Sequence, residues 1–179
     1  MNPIKEKYIS HVIPEMKKKF GLSNDLAVPK ILKIIVHSGT GSLKDEAKRA
    51  AIQSSLAMIT GQKVSPRKAK KSIASFKLRE GTVIGYVATL RGKKMFDFLE
   101  KLINVAIPRI RDFRGIEKKL VDEMGNITLG FKDHTVFPET GEEDVRGAFG
   151  LEVTIVTSGG NKEEGYELLK SLGLPFVKG

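Results

Sequence analysis

The sequence predicts an α+β fold in which an antiparallel sheet carries helices packed on one face. Three observations predict it: β-branched runs and amphipathic helical patterns both occur, they follow no regular strand–helix–strand rhythm, and Gly125-Asn126 marks a hairpin-type turn between apolar runs. The chain has 179 residues, of which 40% are hydrophobic, enough to bury a core. We therefore expect a single domain over residues 1–179.

The N-terminal region is predicted to be helical and then extended. Asn2 can cap a helix whose first position is Pro3, and Pro14 should kink or restart that helix because proline lacks an amide hydrogen. Residues 30–37 are rich in β-branched side chains and predict a strand that ends at Gly39. The region should therefore supply one helix and one strand to the core.

A helix and a strand–loop–strand unit are predicted next. Small residues at helical spacing indicate a helix that packs close to the sheet and ends at Gly61; they are Ala47, Ala50, Ala51, Ser54, Ala57 and Met58. Residues 72–76 and 82–90 are candidate strands, and residues 77–81 would form the tip between them. Because this tip is basic, we expect it to project and to meet a partner.

The clearest helical pattern begins after Gly92 and ends at Pro108. Its apolar face comprises Met95, Phe98, Leu99, Leu102, Ile103 and Ala106. Residues 131–137 are a weaker strand candidate, and residues 140–150 are acidic and glycine-bearing, as in a loop.

The C-terminal region is predicted to contain a strand and a helix. Residues 151–157 alternate apolar and polar side chains, as a half-buried strand does. Asn161 and Glu164 have the spacing of a capping box, so a helix should start there and end at Gly173.

The net charge of +10 is distributed unevenly. Residues 60–94 contain ten Lys or Arg and one Asp or Glu, a net of +9, whereas residues 120–179 contain five and eleven, a net of −6. This asymmetry favours one surface for a polyanion such as nucleic acid and another for a different partner. The alternative is a solvated lysine surface without a partner.

Basic side chains in this central segment are candidate phosphate contacts. They are Lys63, Arg67, Lys68, Lys70, Lys71, Lys77 and Arg79. If residues 69–76 form a strand, Lys68 and Lys70 share one of its faces. Phe76 could stack on a base, or it could belong to the core.

Residues 39–44 match part of the glycine-rich dinucleotide-binding motif and lie between a predicted strand and a predicted helix. Lys44 occupies the place of the third glycine, and the next strand offers no acidic residue for a ribose. The turn could instead hold an RNA phosphate through backbone N–H groups, or be purely structural. A nucleotide-dependent enzyme is therefore the alternative function.

Signals for other chemistry are poor. The sequence contains no cysteine, and His11, His37 and His134 are scattered without a metalloprotease or serine-hydrolase motif. No apolar run approaches the ~20 residues that span a bilayer, and residues 1–7 lack the apolar core of a secretion signal. We expect no catalytic residues, metal, cofactor, small-molecule substrate or membrane partner.

Two further clusters could bind a partner. Arg109, Arg111 and Arg114 surround Asp112, and these forks could bind phosphate or carboxylate, or form a local salt-bridged turn. The carboxylates of Glu139, Glu142, Glu143 and Asp144 lie close together without the spacing of a calcium loop. They are typical of a solvated loop, or of a docking surface for a basic protein.

The chain resembles the family of bacterial ribosomal large-subunit protein five, the 5S-rRNA-binding protein. The resemblance runs nearly end to end, and its specific motifs are Thr60-Gly61-Gln62-Lys63, Gly85-Tyr86-Val87-Ala88-Thr89-Leu90-Arg91-Gly92-Lys93-Lys94-Met95 and Ala106-Ile107-Pro108-Arg109-Ile110-Arg111-Asp112-Phe113-Arg114-Gly115. It implies a curved antiparallel sheet and a cytoplasmic, ribosomal, non-enzymatic role. The chain would attach 5S rRNA to the large subunit in the central protuberance and also contact 23S-type rRNA.

The resemblance also implies site residues. Contacts with rRNA map to His37, Gly39, Gln62, Lys63, Thr89 and Arg91, to which the charge pattern adds Arg67, Lys68 and Lys70. The projecting loop, about residues 72–82, would reach the P-site tRNA through Ser72, Ser75, Phe76, Lys77, Arg79 and Thr82. A bridge to small-subunit protein thirteen would use Arg109, Arg111, Asp112, Arg114, Glu142, Glu143 and Asp144.

Two positions depart from the family pattern. His37 stands where the family usually has asparagine, so an RNA contact there needs a different set of hydrogen bonds. Residues 64–67 replace a usual run of apolar residues and threonine, and Pro66 removes an amide donor. Strand pairing at Pro66 is therefore in doubt.

Overall fold

The computed structural model describes residues 2–43, 45–140 and 147–177. Within these ranges the fold is α+β with one antiparallel sheet, as predicted. The strands are β1 (Ile31–Gly39), β2 (Ser65–Lys68), β3 (Val83–Leu90), β4 (Ile127–Phe131) and β5 (Leu151–Thr157). The α-helices are α1 (Pro3–Lys7), α2 (Ile13–Phe20), α3 (Glu46–Thr60), α4 (Gly92–Lys101) and α5 (Lys162–Leu172). None of the described helices combines the length and apolar character that a bilayer crossing needs.

The sheet has the strand order β2-β3-β1-β5-β4. β2 lies at its edge and pairs antiparallel with β3, with Pro66 opposite Tyr86 and an irregularity between Arg67 and Lys68. An edge position accommodates Pro66, because a strand that is paired on one side needs fewer amide donors. The pairing that Pro66 placed in doubt is therefore present.

The chain divides into two compact units. The first unit comprises residues 1–34, 90–129 and 154–179, and the second comprises residues 35–89 and 130–153. The first unit contains α1, α2, α4 and α5, and the second contains α3 and β2.

In the first unit, the predicted break at Pro14 is present. A π-helical turn, Tyr8–Val12, separates α1 from α2, because proline cannot donate the hydrogen bond that would continue the α-helical pattern. The Asn2 side chain caps α1 by accepting a hydrogen bond from Ile4 N at 2.9 Å, as predicted. Burial raises the pKa of Tyr8, whose hydroxyl donates to Pro29 O.

A close contact in the first unit involves the turn that spans Asp122–Asn126 and the start of α5. A β-carbon added to Gly165 would overlap the Cα and carbonyl oxygen of Gly125 and lie 2.6 Å from its carbonyl carbon. Thr157 fixes the same turn, because its hydroxyl donates to Gly125 O and its amide donates to Asn126 Oδ1. The predicted hairpin is thus a five-residue turn, closed by a bridge between Val121 and Ile127.

Asp122 organises that turn electrostatically. Its carboxylate accepts hydrogen bonds from the amides of Met124 and Asn126 and from the Asn126 side chain. Burial acts to raise the pKa of Asp122, but these hydrogen bonds and the Lys162 ammonium outweigh it and hold the pKa below its usual value. The turn is therefore stabilised by the ionised carboxylate.

The capped helix at the C-terminus is confirmed. Asn161 Oδ1 accepts from Glu164 N at 2.9 Å, and Glu164 reaches back to Gly160 N at 2.9 Å. Gly173 has a φ of 111° and ends α5 with hydrogen bonds from its amide to the last turn.

Three sequence expectations about single elements are wrong. Residues 74–76 form a 3₁₀ turn rather than part of a strand, and residues 134–136 form another beyond the end of β4. The small-residue stripe of α3 is mostly exposed; its buried face instead comprises Ile52, Ser55, Leu56, Ile59 and Thr60. The two stripes lie side by side on the helix, and the larger aliphatic side chains remove more apolar surface from water.

Candidate nucleic-acid interface

The part of the sheet that lies in the second unit has one buried face and one half-exposed face. Val36 and Ser38 of β1 are almost fully buried, as is Thr40 directly after the strand, whereas the intervening His37 is half-buried and Gly39 is exposed. Side chains alternate between the two faces of a strand. His37 and Gly39 therefore lie on the half-exposed face, which we call the open face.

Strand register adds residues of β2 and β3 to the open face. Arg67 pairs with Gly85, and Ser65 pairs with Val87. Directly paired residues of antiparallel strands point to the same side of the sheet. Arg67 is exposed and forms no ion pair with any other residue that the structure describes, so its charge is available to a ligand.

Gly85 brings His37 into this arrangement. A β-carbon at position 85 would lie 3.1 Å from His37 Nε2 and 2.9 Å from Ser38 O. The His37 ring therefore extends from β1 over the backbone of β3. Because Arg67 pairs with Gly85, His37 on β1 and Arg67 on β2 are the neighbours of this glycine on its two adjacent strands.

Two residues that the resemblance placed at the rRNA contact are hydrogen-bonded partners. Gln62 Nε2 donates to Thr89 O at 3.0 Å, although 27 positions separate them in the chain. Both residues are half-buried. The bond orients the Gln62 amide at the end of α3, where Gly61 has a left-handed φ of 62°.

Exposed cations follow Gln62 along the edge of the sheet: Lys63, Arg67, Lys68 and Lys70. β2 ends at Lys68, so the expectation that Lys68 and Lys70 share a face of one strand over residues 69–76 is wrong. An edge strand of charged residues resists pairing with another protein strand. The same exposed cations suit contact with phosphates.

Residues 69–82 form an ordered hairpin rather than an open loop. Backbone hydrogen bonds close its base, from Ala69 N to Thr82 O at 2.8 Å and from Gly81 N to Ala69 O at 3.0 Å. Two more bonds join Ile73 and Leu78. The segment beyond them is fully on the surface, and the Phe76 side chain is 77% exposed.

The hairpin contains the predicted tRNA-contacting residues in defined places. Ser72 Oγ accepts a hydrogen bond from Glu80 N at 2.9 Å, and Ser75 and Phe76 lie in the 3₁₀ turn at the tip. Lys77 follows with a left-handed φ of 50°, and Arg79 is exposed. The exposure of Phe76 excludes its assignment to the core.

The remaining predicted residues lie in the first unit. Arg91 is exposed and precedes α4 as its N-cap. Arg109, Arg111, Asp112 and Arg114 are all exposed, and Asp112 has a left-handed φ of 54°. No ion pair joins these four to each other or to another described residue, so a salt-bridged turn is not present. Glu142, Glu143 and Asp144 lie outside the described residues.

The described residues of the glycine turn after β1 form no complete dinucleotide site. Asp45 caps α3 by accepting hydrogen bonds from Ala47 N and Lys48 N, so a carboxylate already occupies the helix N-terminus. Lys44 lies outside the described residues. A cleft of about 300 Å³ adjoins the turn, lined in part by Ser42, Lys48 and Ser55.

Sequence reasoning missed Gly85 as a site residue. It is part of a family motif, but an isolated glycine within a strand pattern is also a signal for close approach of a neighbouring backbone. The structure contains such a close approach, because Ser38 O and the His37 ring lie next to Gly85.

Comparison with known proteins identifies two family regions in this chain. Residues 24–79 match the family described as ribosomal protein L5, and residues 83–176 match the C-terminus of the same ribosomal protein family. The chain is 49% identical over 180 residues to the large ribosomal subunit protein uL5 of Streptococcus thermophilus, covering 99% of each chain. It is 47% identical over 177 residues to that of Halothermothrix orenii, covering 98% of this chain and 99% of the relative.

Proposed function

The chain belongs to the ribosomal protein L5 family and is a non-enzymatic, structural constituent of the large ribosomal subunit, and from this premise we propose that it binds 5S rRNA through the open face. In this proposal, residues 1–179 act as one rRNA-binding domain. The domain attaches 5S rRNA to 23S-type rRNA in the central protuberance.

The observation that carries the proposal is the convergence of predicted contact residues on the open face. His37 and Arg67 flank Gly85, and the hydrogen bond from Gln62 to Thr89 fixes a polar pair at the other end of β3. Exposed cations at the edge contribute affinity that depends on salt, whereas oriented polar groups contribute sequence or shape discrimination. The arrangement provides both within one unit.

The test is filter binding of the full chain to 5S rRNA and to a scrambled RNA of the same length. We expect tighter binding to 5S rRNA at moderate salt, with affinity for both RNAs falling steeply as salt increases. Equal affinity for the two RNAs at moderate salt would contradict the proposal.

We also propose that the hairpin of residues 69–82 contacts the P-site tRNA. Its paired backbone presents Phe76 and Lys77 at an exposed tip, and an exposed aromatic side chain beside a cation can stack on RNA. Replacing Phe76 by alanine should weaken tRNA binding to assembled ribosomes and leave the melting temperature of the protein unchanged. Unchanged tRNA affinity would contradict this contact.

The exposed arginines of the first unit support a contact with a protein partner, in addition to the RNA contacts. We propose that Arg109, Arg111, Asp112 and Arg114 take part in the bridge to small-subunit protein thirteen. Glu142, Glu143 and Asp144, which lie outside the described residues, are proposed to make a separate contact with the same protein. Replacing the three arginines by alanine should weaken association of the two ribosomal subunits in sucrose-gradient sedimentation. The matched control replaces Lys5, Lys18 and Lys119, which are exposed residues of the first unit, and also removes three positive charges. Equal effects of the two triple variants would contradict a specific bridge.

A further inference from the structure

We propose that His37 is a stacking platform for an unpaired nucleobase of the bound RNA, and that Gly85, which has no side chain, leaves the space in which the His37 ring lies. This inference rests on the proposed function, since it names the kind of RNA group that the open face receives. Two observations support it: the contact of His37 on β1 with Gly85 on β3, and the side chains that surround this contact.

The His37 ring lies against Gly85 of the neighbouring strand. His37 Nε2 lies 3.1 Å from the place where a β-carbon of residue 85 would be, so the ring occupies space that any other residue at position 85 would fill. His37 nevertheless remains half-exposed, whereas Gly85 beneath it is buried. The imidazole is therefore supported by the sheet and accessible from solvent.

The His37 ring has no competing partner among the residues that the structure describes. Neither ring nitrogen of His37 forms a hydrogen bond or ion pair with another residue in the described part of the chain. A buried structural histidine normally satisfies its ring nitrogens within the protein. His37 instead leaves both its ring and its hydrogen-bonding groups available to a ligand.

The surroundings of the His37 ring are aliphatic and cationic. Val83 and the buried Val87 lie on the open face of β3 next to Gly85, and the exposed Arg67 is the residue of β2 that pairs with the same glycine. Short aliphatic side chains next to the His37 ring complement the flat, weakly hydrated face of a nucleobase. The Arg67 guanidinium can meet the phosphate of the same nucleotide. A phosphate alone would gain nothing from the aliphatic surroundings.

The test uses the full chain with 5S rRNA that carries 2-aminopurine at one unpaired adenosine at a time, because this base loses fluorescence when a ring stacks on it. The variants are His37→Phe, which keeps a flat ring, and His37→Asn and His37→Ala, which remove it. His11→Ala in the first unit is the matched control. Circular dichroism checks folding, and His37→Tyr replaces the phenylalanine variant if that variant does not fold.

Stacking predicts that the wild-type chain, His37→Phe and His11→Ala quench the same position and bind within about threefold of each other. His37→Asn and His37→Ala should lose the quenching and about tenfold in affinity. Wild-type affinity in His37→Asn together with weak binding of His37→Phe would overturn the proposal in favour of a hydrogen-bonded contact. Equal binding and quenching by all variants would overturn it as well.

Failure of the proposed function is visible separately, as equal affinity of the wild-type chain for 5S and scrambled RNA. In that case a short single-stranded RNA with one 2-aminopurine takes the place of 5S rRNA. Quenching by the wild-type chain but not by His37→Ala would still support the platform, and absence of quenching would overturn it.

Discussion

The edge of the sheet in the second unit and the turn before α5 in the first unit are built in opposite ways. The edge, residues 62–82, is exposed except for a few side chains such as those of Val64 and Ala69, is strongly cationic, and is held mainly by backbone hydrogen bonds. The turn, Asp122–Asn126, packs backbone against backbone, so that Gly165 has no room for even a methyl group. RNA binding and folding stability thus depend mainly on different residues. Substitutions should therefore separate the two properties.

The largest expected effect is on stability, at Gly165. Replacing it by alanine puts a β-carbon 2.6 Å from the Gly125 carbonyl carbon, and because the obstacle is backbone, the turn must shift. We expect a loss of about 3 kcal/mol in the free energy of unfolding, measured by urea denaturation. The folded fraction should bind RNA as the wild-type chain does.

Gly160→Ala is the matched control for this change. Its β-carbon would approach only Glu164 Oε2, at an ordinary 3.7 Å, so the loss should stay within about 0.5 kcal/mol. Equal unfolding free energies for the two variants would contradict the close packing of the turn.

The second effect is on binding, at the sheet edge. Arg67 and Lys68 are exposed and form no ion pair with other described residues, so their replacement by alanine should leave the melting temperature almost unchanged. Affinity for 5S rRNA should fall by about tenfold or more, and the slope of log affinity against log salt should become shallower by about 2. Filter binding at several salt concentrations measures both.

Lys118 and Lys119 serve as the control for total charge. They are exposed cations of the first unit, and their replacement by alanine also removes two charges. If this double variant lost as much affinity as the Arg67 and Lys68 variant, RNA binding would follow net charge and not the edge of the sheet.

The third effect is smaller and touches both properties. Gln62→Ala removes the hydrogen bond to Thr89 O, which should cost about 1 kcal/mol of stability and about fivefold in affinity for 5S rRNA. Affinity for scrambled RNA should hardly change, because oriented polar groups discriminate while cations do not. Lys77→Ala should reduce the preference for 5S rRNA over scrambled RNA less than Gln62→Ala does. The opposite ranking would contradict the assignment of Gln62 to RNA discrimination.

The smallest effect concerns pH, and it belongs to the turn. Because the folded pKa of Asp122 is lowered, the unfolded chain binds the proton more readily. The contribution of Asp122 to stability is therefore fully present above its unfolded pKa of about 3.9 and is lost as the pH falls through the lower folded value. Asp122→Asn should have a flatter stability profile below about pH 4 than the wild-type chain. Asp112→Asn, which changes an exposed carboxylate without ion pairs among the described residues, is the matched control, and equal flattening in the two variants would contradict the role of Asp122.

The elements that the sequence predicts well have strong local signals. α5 begins at a capping box and ends at a left-handed glycine, and β5 alternates its burial from Leu151 to Thr157. The sequence leaves β2 in doubt because Pro66 and its charged neighbours suit only an edge, and whether a strand lies at an edge is decided by tertiary structure. The predicted face of α3 is wrong because helical periodicity allows two adjacent stripes, and side-chain volume decides between them.

The candidate site is likewise predictable only where the sequence carries a strong local signal. The family motifs indicate Gln62 and Thr89 together, and the structure joins them by a hydrogen bond. The contact of His37 with Gly85 depends on the register between β1 and β3, which the sequence does not contain. The ordered hairpin behind Phe76 likewise depends on backbone pairing between Ala69 and Thr82.

Lysine acetylation footprinting of the full chain, with and without saturating 5S rRNA, tests the division between the two regions most directly. Mass spectrometry reads the reactivity of each lysine. The open face predicts strong protection of Lys63, Lys68 and Lys70 and unchanged reactivity of Lys118 and Lys119, all of which are exposed in the free chain. Protection of the second pair with unchanged reactivity of the first three would contradict RNA binding through this face.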